Sequence, residues 1–317
     1  MRTLVRALLA AALALLSVGS AHAQVAINDQ HLEEHTPAAD IDFAWPRIGV
    51  GNDDAILETW AHSLLGDFRT QLAARTAQEN PYSAHLSYSV TRNDEKAVVV
   101  AFLYSFYTGG AHPNSTQTTF NFLMPDGVRV FLPDLVGDAG IQRISDLAIA
   151  DLDVQLGSDG FADPNWIREG AGPYANNFDS FEWQPSELVL HFDPYAVAAY
   201  AQGPSEVHIP LTRLQDLLRP DPRAPLPSFD CANATTDVET AICSDQMLSQ
   251  FDRRVAEAYA MRLRLESISS QPPSVQAQQV RWLAQRDADC TGMQAAALVN
   301  CLDDEYMHRL ADLQRFV

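Results

Sequence analysis

The chain has 317 residues, of which 47% are hydrophobic and 20% are charged, a composition typical of a globular protein long enough for two domains. It carries 41 acidic and 21 basic residues, which gives a formal net charge of −20 at pH 7. Such a charge repels the phosphate groups of nucleic acid and anionic lipid, so we expect no nucleic-acid partner, whereas a basic protein would be attracted.

The first 23 residues have the pattern of a secretory signal peptide. Arg2 and Arg6 give a positive start, residues 7–18 are apolar, and Ala21-His22-Ala23 is a small-x-small cleavage motif. An apolar run of about a dozen residues is too short to cross a bilayer as a helix. We therefore expect cleavage after Ala23 and export to the periplasm or the extracellular space, without insertion into a membrane.

The next segments predict a polar, flexible leader at residues 24–39 and a folded domain at residues 40–218. The predicted elements are an edge strand at 43–48, a helix at 56–68, strands at 84–91, 97–107, 115–123 and 128–131, a helix at 141–156, a hairpin at 181–192, a strand at 207–209 and a helix-like segment at 211–218. Because strands and helices do not alternate regularly, the predicted class is α+β with a mixed sheet.

Two loops of this domain carry candidate binding residues. The first has the sequence Tyr107-Thr108-Gly109-Gly110-Ala111-His112, in which the two glycines permit positive φ and leave the flanking aromatic rings projecting. The second contains Pro194 and Tyr195. Exposed aromatic side chains are frequent anchors of protein interfaces, so we treat Tyr107, Gly109, Gly110, His112, Pro194 and Tyr195 as candidates for partner binding. The alternative is an ordinary turn beside core aromatic residues.

The order of motifs in this domain carries a family resemblance. After the Gly-Gly-Ala-His step come Pro125-Asp126-Gly127, Leu132-Pro133-Asp134-Leu135, Asn176-Asn177-Phe178, the run from Phe192 to Tyr200, and Gly203. In this order, residues 40–218 resemble the extracytoplasmic domain of RsiV-type anti-sigma factors. The resemblance implies recognition of lysozyme. We expect no transmembrane signalling, because the transmembrane helix and sigma-binding segment of that family have no counterpart here.

Residues 219–228 separate this domain from the rest of the chain. They contain four prolines in eight positions, from Pro220 to Pro227, which excludes a helix or an internal strand. Proline-rich segments favour an extended and fairly stiff conformation. We therefore predict a linker at residues 219–228.

Residues 229–317 predict a small all-α domain held by disulfides. Thr236 and Glu239 have the spacing of a helix capping box, and apolar residues recur at helical spacing in later segments, including Val280 and Leu283. The four cysteines are Cys231, Cys243, Cys290 and Cys301. In an exported protein they predict two disulfides with three possible connectivities, of which we favour Cys231–Cys243 and Cys290–Cys301. Zinc ligation is disfavoured, because no C-x-x-C spacing occurs.

This C-terminal domain resembles the LprI-type lysozyme inhibitor family along its whole length. The matching residues include Phe229-Asp230-Cys231-Ala232, Glu239, Ile242-Cys243, Asp252, Tyr259, Arg281-Trp282-Leu283, Arg286-Asp287, Cys290, Cys301, Tyr306 and Arg309-Leu310. The resemblance implies binding of lysozyme. Arg281, Trp282 and Arg286 are candidates for the contact, since Arg and Trp are common interface anchors. Alternatively, Trp282 lies in the core and Arg286 pairs with a carboxylate such as Asp252.

Patterns that point to catalysis are weak in this sequence. His31-Leu32-Glu33-Glu34-His35 matches the H-x-x-E-H pattern of zinc peptidases, which requires an ordered helix and a third ligand. The segment lies in the predicted leader and is followed by Thr36-Pro37, so we predict neither a metal site nor a cofactor. We also expect no enzyme activity; a hydrolase that uses His112 is the weakest of the alternatives.

Both resemblances point to lysozyme, and the negative charge suits a strongly basic enzyme. The leading hypothesis is an exported envelope protein that binds and inhibits lysozyme or a related muramidase by occluding it. The alternative is an envelope stress or scaffold protein that binds another partner without catalysis.

Overall fold

A computed structural model describes residues 24–51, 53–76, 80–157, 163–268, 274–294 and 296–314. The predicted signal peptide, residues 1–23, lies outside the described residues, and its cleavage stays a prediction. Within the ranges given, no helix is both long and apolar enough to cross a membrane.

A six-stranded sheet forms the first part of the molecule. Its strands follow one another in spatial order: β1 (Asn28–His35), β2 (Ala39–Arg47), β3 (Tyr82–Asn93), β4 (Ala97–Tyr107), β5 (Asn114–Leu123) and β6 (Val128–Val130). All neighbours are antiparallel except β2 and β3, which are parallel and are connected through helix α1 (Asp53–Ala73). Leu57, Ala61, Leu65 and Phe68 of α1 pack on one face of the sheet, so the face on the other side of β1–β3 is left to polar residues.

The predicted flexible leader is the main difference in this part, because residues 28–35 form edge strand β1. They pair with β2 from Asn28↔Arg47 to His35↔Asp40. The predicted edge strand is consequently the second strand of the sheet rather than its border. Pro46 is tolerated there because the pairing of β2 with β3 covers only Ala39–Phe43 and ends before the proline.

A three-stranded antiparallel sheet forms the second part, in the order β7 (Phe181–Trp183), β8 (Glu187–Phe192) and β9 (Ser205–Pro210). Helix α2 (Leu132–Gly157), interrupted at Gly137 with φ 63°, packs on this sheet through Ile144, Ala148 and Leu152, and a short helix α3 (Pro164–Gly170) follows it. The segment at 211–218, predicted to be helix-like, forms a 3₁₀ turn at Leu211–Arg213, and the N–H of Leu218 then donates to the carbonyl of Leu214 in a further turn.

Side chains of β5 join the two sheets through the backbone of β7. Thr119 Oγ1 donates to the carbonyl of Phe181 at 2.5 Å and accepts from its N–H at 2.7 Å. Asn121 Oδ1 accepts from the N–H of Trp183 at 2.8 Å. Because both polar side chains are buried, these hydrogen bonds hold the sheets in a fixed relation.

The described residues of the C-terminal region form four α-helices around one core: α4 (Asp237–Ser244), α5 (Gln246–Ile268), α6 (Val275–Cys290) and α7 (Ala296–Gln314). The predicted capping box at Thr236 and Glu239 is present. Both favoured disulfides are confirmed, Cys231–Cys243 and Cys290–Cys301, with Cα–Cα distances of 5.8 and 5.7 Å. The predicted class, α+β followed by a disulfide-bonded all-α region, is therefore confirmed.

The proline-rich segment at 219–228 is bonded to both of the regions that it connects. Arg219 Nη1 donates to the carbonyl of Asp134, and Arg223 Nη2 donates to that of Met124. On the helical side, the N–H of Leu226 donates to Ser249 Oγ. The segment therefore docks the helices against the sheets instead of forming the free spacer that its composition suggests.

Candidate functional site

The two candidate loops of the N-terminal region meet and form one aromatic surface. Tyr107 is the last residue of β4, and His112 lies in the loop that follows it. The loop between β8 and β9 carries Pro194, Tyr195 and Tyr200. We call the group Tyr107, His112, Trp166, Tyr195 and Tyr200 the aromatic loop surface.

The Gly-Gly turn shapes the first of these loops. Gly109 and Gly110 have φ values of 98° and 102°, a region that side chains with a Cβ rarely adopt. The chain consequently folds back, and Tyr107 Oη donates to the carbonyl of Gly110 at 3.1 Å. Tyr107 also packs edge-on against the ring of Tyr82, at a centroid distance of 6.4 Å.

His112 links the first loop to the second. Its ring stacks on Tyr200 with a centroid distance of 3.8 Å and an interplanar angle of 19°. Tyr200 Oη donates to the carbonyl of Pro113 at 2.8 Å, so the two loops are joined by a stack and a hydrogen bond. His112 therefore has a positioning contact on one face of its ring and is half-buried.

Tyr195 is the most exposed member of the surface. Its side chain is 53% exposed, and its backbone has φ 74°, which is unusual for a residue other than glycine. The indole N–H of Trp166 donates to the carbonyl of Tyr195 at 2.8 Å and holds this conformation. A strained backbone that presents an aromatic ring to solvent is a feature found at binding sites.

His112 and Tyr195 both pack against Tyr200, at ring-centroid distances of 3.8 and 5.5 Å, so these two candidates lie together. Trp166 and Tyr200 were not predicted as site residues. Tyr200 is the last residue of the motif from Phe192 to Tyr200, which also contains Tyr195. This shared motif is the sequence feature that could have identified Tyr200 as a site residue. Trp166 lies on α3, far along the chain from both loops, and no local pattern relates it to them.

The candidates on the helical region separate into buried and exposed residues. Arg286 is buried; its Nη1 donates to Tyr306 Oη at 2.8 Å, and that hydroxyl donates to Asp252 Oδ1 at 2.7 Å. Burial raises the pKa of Tyr306, and the neighbouring Asp252 carboxylate adds to the rise. Asp252 also accepts from Ser228, so this chain of polar groups connects the linker, α5, α6 and α7.

Trp282 belongs to the same internal group, while Arg281 does not. The indole of Trp282 is half-buried and packs edge-on against Tyr306 at 5.4 Å, with Arg286 beside its ring. Arg281 is exposed. On the outer side of α6, Val280 is 63% and Leu283 is 38% exposed, although their spacing predicted core positions. We call Val280, Arg281, Leu283, Ala284 and Asp287 the α6 face.

A third group of polar residues lies on the open face of the six-stranded sheet. His31 Nε2 lies 2.8 Å from Asp42 Oδ1 and 3.4 Å from Glu33 Oε1. The hydrogen bond to Asp42 raises the pKa of His31. The imidazole and the two carboxylates offer ligand atoms that all lie within 4.8 Å of one another, a spacing suited to a metal ion.

Three family models match successive parts of the chain. "Deacetylase PdaC" matches residues 33–115, "Protein of unknown function (DUF3298)" matches residues 130–212, and "Lysozyme inhibitor LprI" matches residues 231–313. The chain therefore combines an N-terminal region similar to PdaC and DUF3298 with a helical region similar to LprI. The resemblance to RsiV-type domains stays a prediction.

Individual proteins are also similar to parts of the chain. Peptidoglycan-N-acetylmuramic acid deacetylase PdaC of Bacillus subtilis is 26% identical over 137 residues, which are 43% of this chain and 29% of that enzyme. The chain thus matches less than a third of the length of this relative. A DUF3298 family protein from Pseudomonas aeruginosa has a TM-score of 0.50 at 15% identity, over 63% of this chain and 97% of the other. One from Bacteroides fragilis has a TM-score of 0.42 at 15% identity, over 63% and 96%.

Proposed function

We propose that this protein is an exported binding protein that inhibits lysozyme or a related muramidase by occluding it. The observation that carries the proposal is the match of the lysozyme inhibitor LprI model to residues 231–313, which include all four helices of the C-terminal region. Both predicted disulfides are formed in this region.

The positions of the motif residues narrow down where the helical region would touch a partner. Arg286, Tyr306 and Asp252 bond to one another inside the region and stabilise it. We therefore assign these three residues a structural role and expect exposed residues of the helical region to contact the partner. The α6 face supports this role, because Val280 and Leu283 place apolar surface next to the exposed Arg281, a combination common at interface centres.

The charge of the chain favours a basic partner. Residues 24–219 carry 27 acidic and 10 basic residues, and residues 220–317 carry 14 and 9. A muramidase of the basic lysozyme type would be drawn to such a surface, and its association would slow as salt screens the attraction. Binding that covers the partner's cleft would block cell-wall cleavage without any reaction on this chain.

The proposal is tested by isothermal titration of the full protein into c-type lysozyme, first unmodified and then with one residue changed. Val280→Lys places a charge in the α6 face, and we expect it to weaken binding at least tenfold. Val154→Lys on α2 is the matched control, because Val154 is 72% exposed and the change in net charge is the same. Equal weakening by both variants would mean that only net charge matters.

A second candidate function rests on the aromatic loop surface. It lies in the part of the chain similar to PdaC and DUF3298 and presents Tyr195 on a strained backbone, which favours binding of a different envelope partner. The double variant His112→Ala/Tyr195→Ala separates the two candidates. If the variant keeps its affinity for lysozyme, the loops bind another ligand. If the variant loses that affinity, lysozyme binds at the loops.

A further inference from the structure

Three histidines and three carboxylates line the outward face of the first three strands. Because side chains alternate along a strand, residues two apart point to the same side of the sheet. The outward residues are His31, Glu33 and His35 on β1, Asp40 and Asp42 on β2, and His85 on β3, and each is exposed.

The pairing of β1 with β2 brings two of these carboxylates close together. Glu33 and Asp42 lie directly opposite each other in the register. Like charges at opposed positions destabilise a sheet unless a positive group lies near them. The single imidazole of His31 faces both carboxylates, with its Nε2 2.8 Å from Asp42 and 3.4 Å from Glu33. One imidazole can carry at most one positive charge against the two negative ones.

The three ligand atoms suit a small divalent ion of the zinc class. Bonds of about 2.1 Å at tetrahedral angles put two ligand atoms about 3.4 Å apart. The distance of 3.4 Å from His31 Nε2 to Glu33 Oε1 matches that value, and the distance of 2.8 Å to Asp42 Oδ1 is somewhat shorter. His35 is a fourth group within reach, because its Nε2 lies 4.0 Å from Glu33 Oε2.

We propose that His31, Glu33 and Asp42 bind one divalent transition-metal ion, with zinc as the reference ion. A set of imidazole and carboxylate ligands favours zinc, copper, nickel or cobalt over calcium or magnesium. The ion would connect edge strand β1 to β2 and offset the repulsion between Glu33 and Asp42. This site is a strand face and therefore differs from the helical arrangement that the H-x-x-E-H pattern has in zinc peptidases.

Asp40, next to the proposed site, contacts two of the neighbouring histidines. Asp40 Oδ1 lies 2.5 Å from His35 Nδ1, and Asp40 Oδ2 lies 3.1 Å from His85 Nε2. A carboxylate bonded to the ring nitrogen that faces away from a metal orients a histidine ligand. Asp40 can therefore hold His35 with its Nε2 directed towards Glu33.

The test is isothermal titration of ZnCl₂ into the full, tag-free protein. We expect one saturable site of micromolar affinity and a rise in melting temperature that EDTA reverses. The double variant His31→Gln/Asp42→Asn should weaken the affinity at least tenfold. All changed side chains are exposed, so the variant should keep the circular dichroism spectrum of the unmodified protein.

His208→Gln is the matched control. His208 is an exposed strand histidine with Glu187 at 3.4 Å and Glu206 at 4.0 Å. The zinc affinity of the His208→Gln variant should stay within twofold of that of the unmodified protein. The proposal is overturned by an absence of saturable binding at up to 100 µM zinc, which is about a hundred times a micromolar Kd. It is equally overturned if zinc binds with the same affinity after His31→Gln/Asp42→Asn, which would indicate adventitious binding only.

Discussion

Two neighbouring aspartates at the start of α1 have opposite environments. Asp54 Oδ1 accepts from the N–H groups of Ile48 and Gly49, at 2.6 and 3.1 Å, and so fixes the turn before the helix. Asp53 is buried, and neither of its carboxylate oxygens has a hydrogen-bond partner among the described residues. Burial, together with the charge of Asp54, raises the pKa of Asp53 to about 8. The paired carboxylates are therefore not equivalent.

The pKa of Asp53 predicts a pH-dependent cost in stability. The unfolded chain ionises this group near pH 4, so between about pH 4 and 8 the folded state binds one more proton. The free energy of unfolding consequently falls as pH rises through that range. Asp53→Asn should remove this slope and raise the melting temperature most at pH 8, by an amount equivalent to about 1–3 kcal/mol. Calorimetry at pH 5, 6.5 and 8 measures it.

Asp54→Asn provides the contrast at the adjacent position. It replaces a charged acceptor of two backbone N–H groups by a neutral one, and it should lower the melting temperature slightly at each pH. If Asp53→Asn were less stable than the unmodified protein at pH 8, or kept the same slope with pH, burial of an ionisable Asp53 would be wrong.

At the scale of elements, the two disulfides differ in how deeply they lie. Cys290 is fully buried in the helical core, whereas Cys231 is exposed beside a 3₁₀ turn. The chain-entropy model gives about 3 kcal/mol for a closed loop of either size, 12 or 11 residues in sequence separation. Loss of core packing adds to this value only for the pair that includes Cys290.

We therefore expect Cys290→Ala/Cys301→Ala to lower the melting temperature of the full protein more than Cys231→Ala/Cys243→Ala does. Dithiothreitol should reduce the exposed Cys231–Cys243 bond first. Differential scanning calorimetry and mass spectrometry after timed alkylation measure the two effects. Equal destabilisation by both pairs, or earlier reduction of Cys290–Cys301, would contradict the assigned difference in burial.

Elements with a clear apolar period were predictable from the sequence, and elements without one were not. Strand β4 runs through Val98, Val99 and Val100, and its predicted bounds, 97–107, are the observed ones. Strand β1 was missed because Leu32 is its only apolar residue, so an edge strand with a polar outer face has the composition of a loop. Val280 and Leu283 have helical spacing, but periodicity alone does not tell which face of a helix meets the core.

The candidate site shows the same limit. The Gly-Gly loop and Tyr195 were predicted from local features, namely turn chemistry and loop aromatic residues. Their contact through Tyr200 and Trp166 depends on how the two sheets pack, which no local pattern encodes. In the helical region, one of the two interpretations of Arg286 pairs it with a carboxylate such as Asp252. In the structure Tyr306 connects them, because its hydroxyl accepts from Arg286 and donates to Asp252.

At the scale of the whole molecule, helix α5 holds the helical region against the N-terminal region. Gln250 Nε2 donates to the carbonyl of Arg129 and to Asp134 Oδ2, both at 2.9 Å. The next turn contributes two ion pairs, Arg253 with Asp138 at 2.6 Å and Arg254 with Asp179 at 3.2 Å. Single exposed ion pairs contribute little, so the coupling rests on the group of contacts together with the bonded linker.

This contact predicts that the two regions unfold together, although the proline-rich linker alone suggests separate transitions. Gln250→Ala/Arg254→Ala should split the calorimetric melting of the full protein into two resolved transitions. Gln276→Ala on the exposed side of α6 is the control and should leave a single transition. Two resolved transitions in the unmodified protein would show that the docking contacts do not couple the regions.

A cell-wall lysis assay tests whether the protein inhibits a lysozyme-type muramidase by occlusion. The full protein is mixed with c-type lysozyme at increasing molar ratio, at low and at high salt, and clearing of the suspension is followed. We expect lysis to be blocked at about a tenfold molar excess in low salt and partly restored in high salt, because salt screens the attraction between the acidic chain and the basic enzyme. Unchanged lysis at that excess in low salt would contradict it.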